Sequence, residues 1–437
     1  MSTKAKLLAC VASAVLPWLV ASAIPASAAD EKFTLSSVIN VPTTSANAVG
    51  GLNAFDISFV DPVAGVYVLA DRSNASIDVI DTGSNTVINQ ITPGFVGFTG
   101  NNDTSGPDGV LIVNHTELWV GDGNSTIWVL HLNNGNVIDK ISTAITPGDK
   151  TRADELCYDS ADHIILMAND ASQPAPFVTF ISSTSHAVLG HIVMDGSGKP
   201  GTGPKATNGI EQCQWSPRTG KFYLNLPEVN GPGDNSQPGA VLVIDPVSET
   251  IERTWSVDHS KCVGPQGMAI GPTNQIALGC NGLPTAQNPG VGSVIISESL
   301  ANTSTNATIL FTLAGAGGND EVWFNPGDDQ YFLANSTQGK LGVADPDGTQ
   351  DQPFATTAAG SHSVAADPVR NQVYVPGNKA AAFCNNGGKG CIGVFTAQGT
   401  DDPSICVGQG SPVISVADEG TGDPVFLKEV CPPRGNH

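Results

Sequence analysis

Short apolar segments that alternate with polar residues recur along this chain at intervals of about 41 to 56 residues. The first repeat begins at Phe55 and reads FDISFVDPVAGVYVLADRSNASIDVIDTGSNTVINQI. Within it, four strand-length segments with period-two alternation are separated by turn residues, for example at Asp61-Pro62 and Gly83-Ser84. This alternation with tight turns predicts four antiparallel strands joined by hairpins.

The same pattern returns six more times. These later copies begin at Pro107, Asp154, Ile210, Pro265, Asp320 and Ser361. One four-stranded sheet cannot bury both of its faces, so the repeats predict an all-β fold, a seven-bladed β-propeller of four-stranded blades. We expect a single propeller domain over residues 29–437, in which the segment Phe33–Asn40 completes the last blade and covers its open edge.

The N-terminal residues 1–28 have the pattern of a secretory signal peptide. Lys4 and Lys6 precede an apolar run from Leu7 to Ala21, and Ala26-Ser27-Ala28 supplies a small-residue cleavage site. No later segment offers the roughly 18 apolar residues that a membrane span requires. We therefore expect a secreted or periplasmic protein without a membrane anchor.

In an exported protein, cysteines are expected to form disulfides. Without Cys10 in the signal segment, eight remain: Cys157, Cys213, Cys262, Cys280, Cys384, Cys391, Cys406 and Cys431. An even number in an oxidising compartment predicts disulfides, although eight cysteines allow 105 pairings. We expect the local pairs Cys262–Cys280 and Cys384–Cys391, because each flanks a predicted hairpin, and the sequence leaves the other pairings open.

Charge and composition restrict the partners. The 437 residues include 19 Lys and Arg against 41 Asp and Glu, a formal net charge of -22, with 49 Gly and 30 Pro. Nucleic-acid binding depends on clustered basic residues, so this balance argues against a nucleic-acid partner. We expect a monomer that acts on a small-molecule substrate.

The repeat also resembles a known family. The pattern VYVLAD, SIDVID and TGSNTVINQI is similar to the YVTN/NHL-type secreted propellers over most of the mature chain, and distantly similar to the senescence-marker/gluconolactonase superfamily. The second resemblance implies a divalent metal in the central channel. The gluconolactonase-like motif of Glu-Gly-Pro, an apolar residue and Trp is absent, and Gly209–Trp215 and Asp320–Trp323 only echo it. This departure weighs against lactone chemistry.

Alignment of the seven repeats reveals one column that is polar in every copy. It contains Asp56, Asp108, Glu155, Glu211, Gln266, Glu321 and His362. First strands of propeller blades line the central channel, so these side chains are expected there. Carboxylates held close together repel one another, and a bound cation removes this conflict. Oxygen ligands suit Ca²⁺, Mg²⁺ or Mn²⁺, while an imidazole extends the choice to Fe²⁺ or Zn²⁺.

We predict that Glu155, Glu211, Glu321 and His362 bind the metal. In the leading hypothesis the protein is a metal-dependent hydrolase of a lactone or ester, or a lyase or isomerase, with Glu211, Gln266 and Asp108 acting on substrate or water. Asp56 and Asp108 also suit a structural role, as caps of backbone N–H groups. The alternative is a non-catalytic secreted binding or scaffold module that uses its rim loops. A deep channel pocket favours a small molecule, whereas a flat apolar rim favours a protein partner.

Overall fold

The computed structural model describes residues 32–352, 354–385 and 387–398. In this part of the chain the fold is all-β, and the strands form seven four-stranded antiparallel sheets. This arrangement confirms the predicted seven-bladed β-propeller. Two short 3-10 turns, Asn102–Thr104 and Ala382–Cys384, are the helical elements of the described residues.

Six blades are built from four consecutive strands each. Blade 1 has β2 (Ser58–Asp61), β3 (Val66–Asp71), β4 (Ser76–Asp81) and β5 (Thr86–Ile91). Blade 2 has β6 (Val110–Val113), β7 (Glu117–Asp122), β8 (Thr126–His131) and β9 (Val137–Ser142). Blade 3 has β10 (Leu156–Asp159), β11 (Ile164–Asn169), β12 (Phe177–Ser182) and β13 (Val188–Val193). Blade 4 has β14 (Cys213–Ser216), β15 (Lys221–Leu226), β16 (Ala240–Asp245) and β17 (Thr250–Ser256). Blade 5 has β18 (Pro265–Ile270), β19 (Gln275–Cys280), β20 (Gly292–Ser297) and β21 (Ile309–Ala314). Blade 6 has β22 (Asn319–Asn325), β23 (Gln330–Asn335), β24 (Lys340–Ala344) and β25 (Ala355–Thr356).

The seventh blade joins the two ends of the described chain. It contains β26 (Ala365–Asp367), β27 (Gln372–Gly377), β28 (Cys391–Gln398) and, as its outer strand, β1 (Lys32–Ile39). Strand β1 pairs antiparallel with β28 along its length. The segment expected at Phe33–Asn40 therefore lies in the last blade and covers the free edge of β28.

The blades are held together by the faces of their middle strands. Strands β3, β11, β19 and β23 are buried at every residue, whereas fourth strands such as β5 alternate between exposed and partly buried positions. In the interface of blades 1 and 2, for example, Val68 and Val79 belong to one apolar cluster with Leu118 and Val120. This packing fixes the first strand of each blade along the central channel.

Three disulfides lie in the described residues. The predicted pairs Cys262–Cys280 and Cys384–Cys391 are confirmed. The third, Cys157–Cys213, connects the first strands of blades 3 and 4 and was not predicted. Cys406, Cys431 and the predicted signal segment 1–28 lie outside the described residues.

The disulfides also bear on the compartment. Disulfides form and persist in oxidising environments, so the three pairs are consistent with an extracellular or periplasmic location. Across the described ranges, no helix has the length and apolar character needed to cross a membrane.

Candidate functional site

The central channel contains two cavities that meet inside the ring. The polar cavity, of about 300 Å³, lies where the first strands begin, and the apolar cavity, of about 690 Å³, follows those strands toward their other ends. Five residues of the polar column line the polar cavity: Asp56, Glu155, Glu211, Gln266 and His362. The repeat alignment therefore brings most of its column into one place.

Asp108 and Glu321 lie elsewhere. Asp108 is fully buried and lines neither cavity. Glu321 lines the apolar cavity, where its carboxyl oxygen Oε2 accepts hydrogen bonds from Ser363 Oγ at 2.5 Å and from the N–H of Val364 at 2.9 Å. Burial raises the pKa of Glu321 to about 8, although these two hydrogen bonds oppose the effect. Glu321 is therefore largely protonated at neutral pH.

A buried arginine joins two members of the column. The guanidinium of Arg72, which is 5% exposed, donates from Nε to Asp108 Oδ1 at 2.8 Å and from Nη1 to Asn102 Oδ1 at 2.6 Å. Its Nη2 also forms an ion pair with Asp56. Arg72 thus carries the positive charge that these two carboxylates require.

A second arginine occupies the other side of the polar cavity. Arg152 Nη2 lies 2.8 Å from Asp154 and 2.9 Å from Asp170, and its Nη1 lies 3.6 Å from Asp56. Its side chain is 9% exposed. The two arginines therefore neutralise part of the acidic cluster from within the protein, through their ion pairs with Asp56, Asp108, Asp154 and Asp170.

Neither arginine was among the site residues predicted from the sequence. The sequence position of each arginine indicated its place. Arg72 directly follows β3, whose end lies at the same end of the channel as the start of β2. Arg152 lies three positions before Glu155. The alignment considered first strands only, so it did not include residues that reach the channel from the second strand or from the entry loop.

The carboxyl groups in and around the polar cavity differ in pKa. Burial opposes ionisation of Asp56, but the charge of Arg72 and a hydrogen bond to His362 hold its pKa well below the usual range. Burial raises the pKa of Asp108 to about 8, and Arg72 only partly opposes this effect. Burial and neighbouring carboxylates raise the pKa values of Glu155 and Glu211 well above their ordinary range.

His362 is held by the protein. Its Nε2 lies 3.3 Å from Asp56 Oδ1, its Nδ1 lies 2.9 Å from the carbonyl oxygen of Gly360, and its ring stacks on Phe55 at 4.8 Å. Burial opposes protonation, but the Asp56 hydrogen bond and the charge of Asp320 raise the pKa of His362. Both ring nitrogens thus already have protein partners.

The apolar cavity has the composition of a ligand pocket. Half-buried aromatic side chains line it, including Tyr158, Trp215 and Trp323. Among its polar lining residues, Gln212 is fixed because its Oε1 accepts the N–H of Met268 at 2.5 Å, and Arg218 forms an ion pair with Glu298 at 2.6 Å. From the sequence, Trp215 and Trp323 were noted only as the last residues of two segments that echo the gluconolactonase motif, and no pocket was predicted from them.

The predicted metal ligands do not gather at one point. In the described part of the chain, the potential ligand atoms that lie within 4.8 Å of one another belong to Asp56, Asp108 and Asp154. Arg72 and Arg152 already form ion pairs with these three carboxyls. The metal site of Glu155, Glu211, Glu321 and His362 stays a prediction.

Known structures share the fold. The chain is similar to Kuenenia stuttgartiensis hydrazine synthase with a TM-score of 0.55 and 14% identity, over 82% of this chain and 97% of that one. It is similar to the Neurospora crassa Pan2 WD40 domain with a TM-score of 0.54 and 11% identity, over 85% and 97% of the two chains. A chain of the mitotic checkpoint complex matches with a TM-score of 0.56 and 14% identity, over 88% and 99%.

These likenesses show the propeller fold alone. No protein-family model matches the sequence. No curated protein matches it either. The similarity to YVTN/NHL-type and gluconolactonase-like propellers therefore stays a resemblance in the repeat, and a shared fold does not by itself indicate a function.

Proposed function

We propose that this protein is a small-molecule-binding β-propeller and that its ligand lies in the apolar cavity. The observation that carries the proposal is the cavity itself. Its volume of about 690 Å³ falls within the range of small-molecule pockets, and aromatic walls with few polar groups are typical of such sites. Glu155, Glu321 and Gln212 provide the polar groups that orient a ligand.

The carboxyl groups also supply the acid–base chemistry that the enzymatic hypothesis needs. Glu321 borders the apolar cavity, and its pKa of about 8 makes it a proton donor at neutral pH. Hydrolysis of a lactone or ester, or a lyase or isomerase step, therefore remains the catalytic form of this proposal, with Glu321 as general acid. Asp108 contributes less than the sequence suggested, because it lines neither cavity.

The rival proposal is a scaffold that binds a partner with its rim loops. The matched structures include hydrazine synthase and a WD40 domain, so the fold does not distinguish an enzyme from a binding module. The deep aromatic cavity favours the small molecule, since a flat apolar rim is the feature expected of a protein-binding face.

Binding of an uncharged aromatic probe tests the proposal. N-phenyl-1-naphthylamine should bind the wild-type protein with a rise in its fluorescence. Ile270→Arg places a charged side chain in the apolar cavity and should weaken binding at least tenfold. Ile88→Arg is the matched control, because Ile88 is 58% exposed on outer strand β5. Equal binding by both variants would contradict the proposal.

The predicted divalent metal has its own measurement. We propose that the polar cavity is the place to look, since Glu211 and His362, two of the predicted ligands, line it. Elemental analysis of protein purified without chelator or affinity nickel, before and after dialysis against EDTA, tests it. One ion per chain that is lost in Glu211→Ala supports the metal, and no stoichiometric ion in the wild-type protein excludes a tightly bound one.

A further inference from the structure

Glu155 lies where the two cavities meet. It lines both the apolar and the polar cavity, and the only other residue that does so in the described ranges is Ile57. A molecule seated among the aromatic side chains therefore reaches the Glu155 carboxyl directly. It does not have to cross the ion pairs of Arg72 and Arg152.

The carboxyl group of Glu155 lacks a compensating partner. It is 6% exposed, yet within the part of the chain described here it forms no side-chain hydrogen bond or ion pair. The titratable groups that act on it most strongly are other acids, Asp154, Glu321 and Glu211. Two of these neighbours have close partners, since Asp154 pairs with Arg152 and Glu321 accepts a hydrogen bond from Ser363. Ionisation of a buried carboxyl without a donor or cation is costly, and burial accordingly raises the pKa of Glu155. A ligand that brings a cation to this carboxyl supplies the missing partner and favours its ionised form.

The surroundings of Glu155 favour an organic cation. Tyr158, Trp215 and Trp323 line the same apolar cavity as this carboxyl. Aromatic faces attract ammonium groups, and aromatic cages are a recurring means of binding them. A hard divalent ion instead needs several oxygen ligands close together, and Glu155 does not belong to such a group.

We propose that the ligand of the apolar cavity is an amphiphilic amine, with its ammonium group on Glu155 and its apolar body among the aromatic side chains. This inference rests on the proposed function and adds the chemical class of the ligand.

A matched pair of fluorescent probes tests the inference. Dansylcadaverine carries a primary amine, and its N-acetyl derivative has the same fluorophore and chain without the charge. We expect wild-type protein to bind the amine at least tenfold more tightly than the acetylated probe. In Glu155→Gln this preference should fall below threefold, while the affinity for the acetylated probe stays unchanged.

Controls separate this inference from the proposed function. Asp162→Asn removes a negative charge from an exposed position of the same blade and should retain the full preference. Binding of neither probe would overturn the proposed function together with this inference. Equal binding of both probes to the wild type would overturn only the proposal that the ligand is an amine. If Glu155→Gln still prefers the amine, the preference comes from the overall charge of the protein, and the role of Glu155 is overturned.

A second variant keeps the test decisive. If Glu155→Gln shows no cooperative thermal transition, Glu155→Asp takes its place, because it retains the charge and shortens the side chain by one methylene. The preference for the amine should then fall at least threefold. An unchanged preference in a folded Glu155→Asp protein would contradict the proposed contact.

Discussion

Arg72 donates a hydrogen bond from its Nε to Asp108 Oδ1 at 2.8 Å, and this contact joins the end of strand β3 in blade 1 to the entry of blade 2. Both side chains are buried. The same guanidinium pairs with Asp56, so one basic residue links carboxyls from two repeats. Part of the polar column is therefore an internal ion-pair network that holds neighbouring blades together at the channel mouth.

Removal of Arg72 should destabilise the protein strongly. Arg72→Met leaves Asp56 and Asp108 buried without their shared cation, and loss of one partner of a buried ion pair typically costs about 3–5 kcal/mol. Urea denaturation measures the loss. Arg370→Met is the control, since Arg370 pairs with Asp367 but is 37% exposed, and its loss should cost about 1 kcal/mol or less. Similar losses in both variants would contradict the proposed network.

The site could be predicted from the sequence only in part. Alignment of the repeats at the starts of their first strands placed Glu155, Glu211 and Gln266 at one cavity, although Glu155 and Glu211 come just before β10 and β14. This alignment carries no information on residues outside the column, such as Arg152. The sequence indicated that these acids would repel one another. Which positive charge offsets the repulsion depends on the residues that lie next to them in the folded protein.

A second buried acidic pair lies within blade 1. Asp71 and Asp78 are both buried on the paired strands β3 and β4, and burial raises the pKa of Asp71 to about 6 and that of Asp78 well above its usual range. In the unfolded chain both groups titrate near pH 4. The folded protein therefore holds its protons more tightly, and it loses stability as the pH rises from about 4 through 6 and above.

Asp78→Asn should stabilise the protein at high pH. The amide keeps an acceptor for Gln90, which donates to Asp78 Oδ1 at 2.9 Å, and removes the charge that opposes Asp71. We expect a gain of about 1–3 kcal/mol at pH 8 that disappears near pH 4, measured by urea denaturation across this range. A gain that is independent of pH would contradict the electrostatic explanation.

Asp81→Asn is the control with the opposite sign. Hydrogen bonds from Ser84 lower the pKa of Asp81, so its ionised form stabilises the fold. That stabilisation is present above about pH 4 and is lost as the pH falls through the folded pKa. The variant should therefore be slightly less stable than the wild type at neutral pH and equal to it in acid.

The disulfides should differ in their contribution to stability. Cys157–Cys213 closes a loop with a sequence separation of 56, whereas Cys384–Cys391 closes one of 7. In the chain-entropy model these loops correspond to about 4 and about 2.5 kcal/mol, respectively. Replacement of each pair by alanine, followed by urea denaturation, measures the two losses. A smaller loss for Cys157–Cys213 would show that the disulfide does not act mainly through the unfolded chain.

The fold was more accessible from the sequence than the site. Seven copies of one strand pattern require seven similar sheets, and the segment Phe33–Asn40 had no repeat of its own to join. Strand β1 does complete the last blade, with Phe33 paired to Ala397 and Ile39 to Ile392. The Cys157–Cys213 disulfide escaped prediction, because it connects two repeats and no local hairpin marks it.

Closure of the ring should depend on Phe33. This residue is 5% exposed, and its ring contacts Phe332 of blade 6 edge-to-face at 5.0 Å, so it ties the outer strand of the last blade to its neighbour. Phe33→Ala should cost about 3–5 kcal/mol in urea denaturation. Leu35→Ala lies on the same strand but affects a side chain that is 38% exposed, and it should cost about 1 kcal/mol or less. Equal losses would show that β1 stabilises the ring through backbone pairing alone, whereas a selective loss for Phe33 assigns the closure to packing between blades 6 and 7.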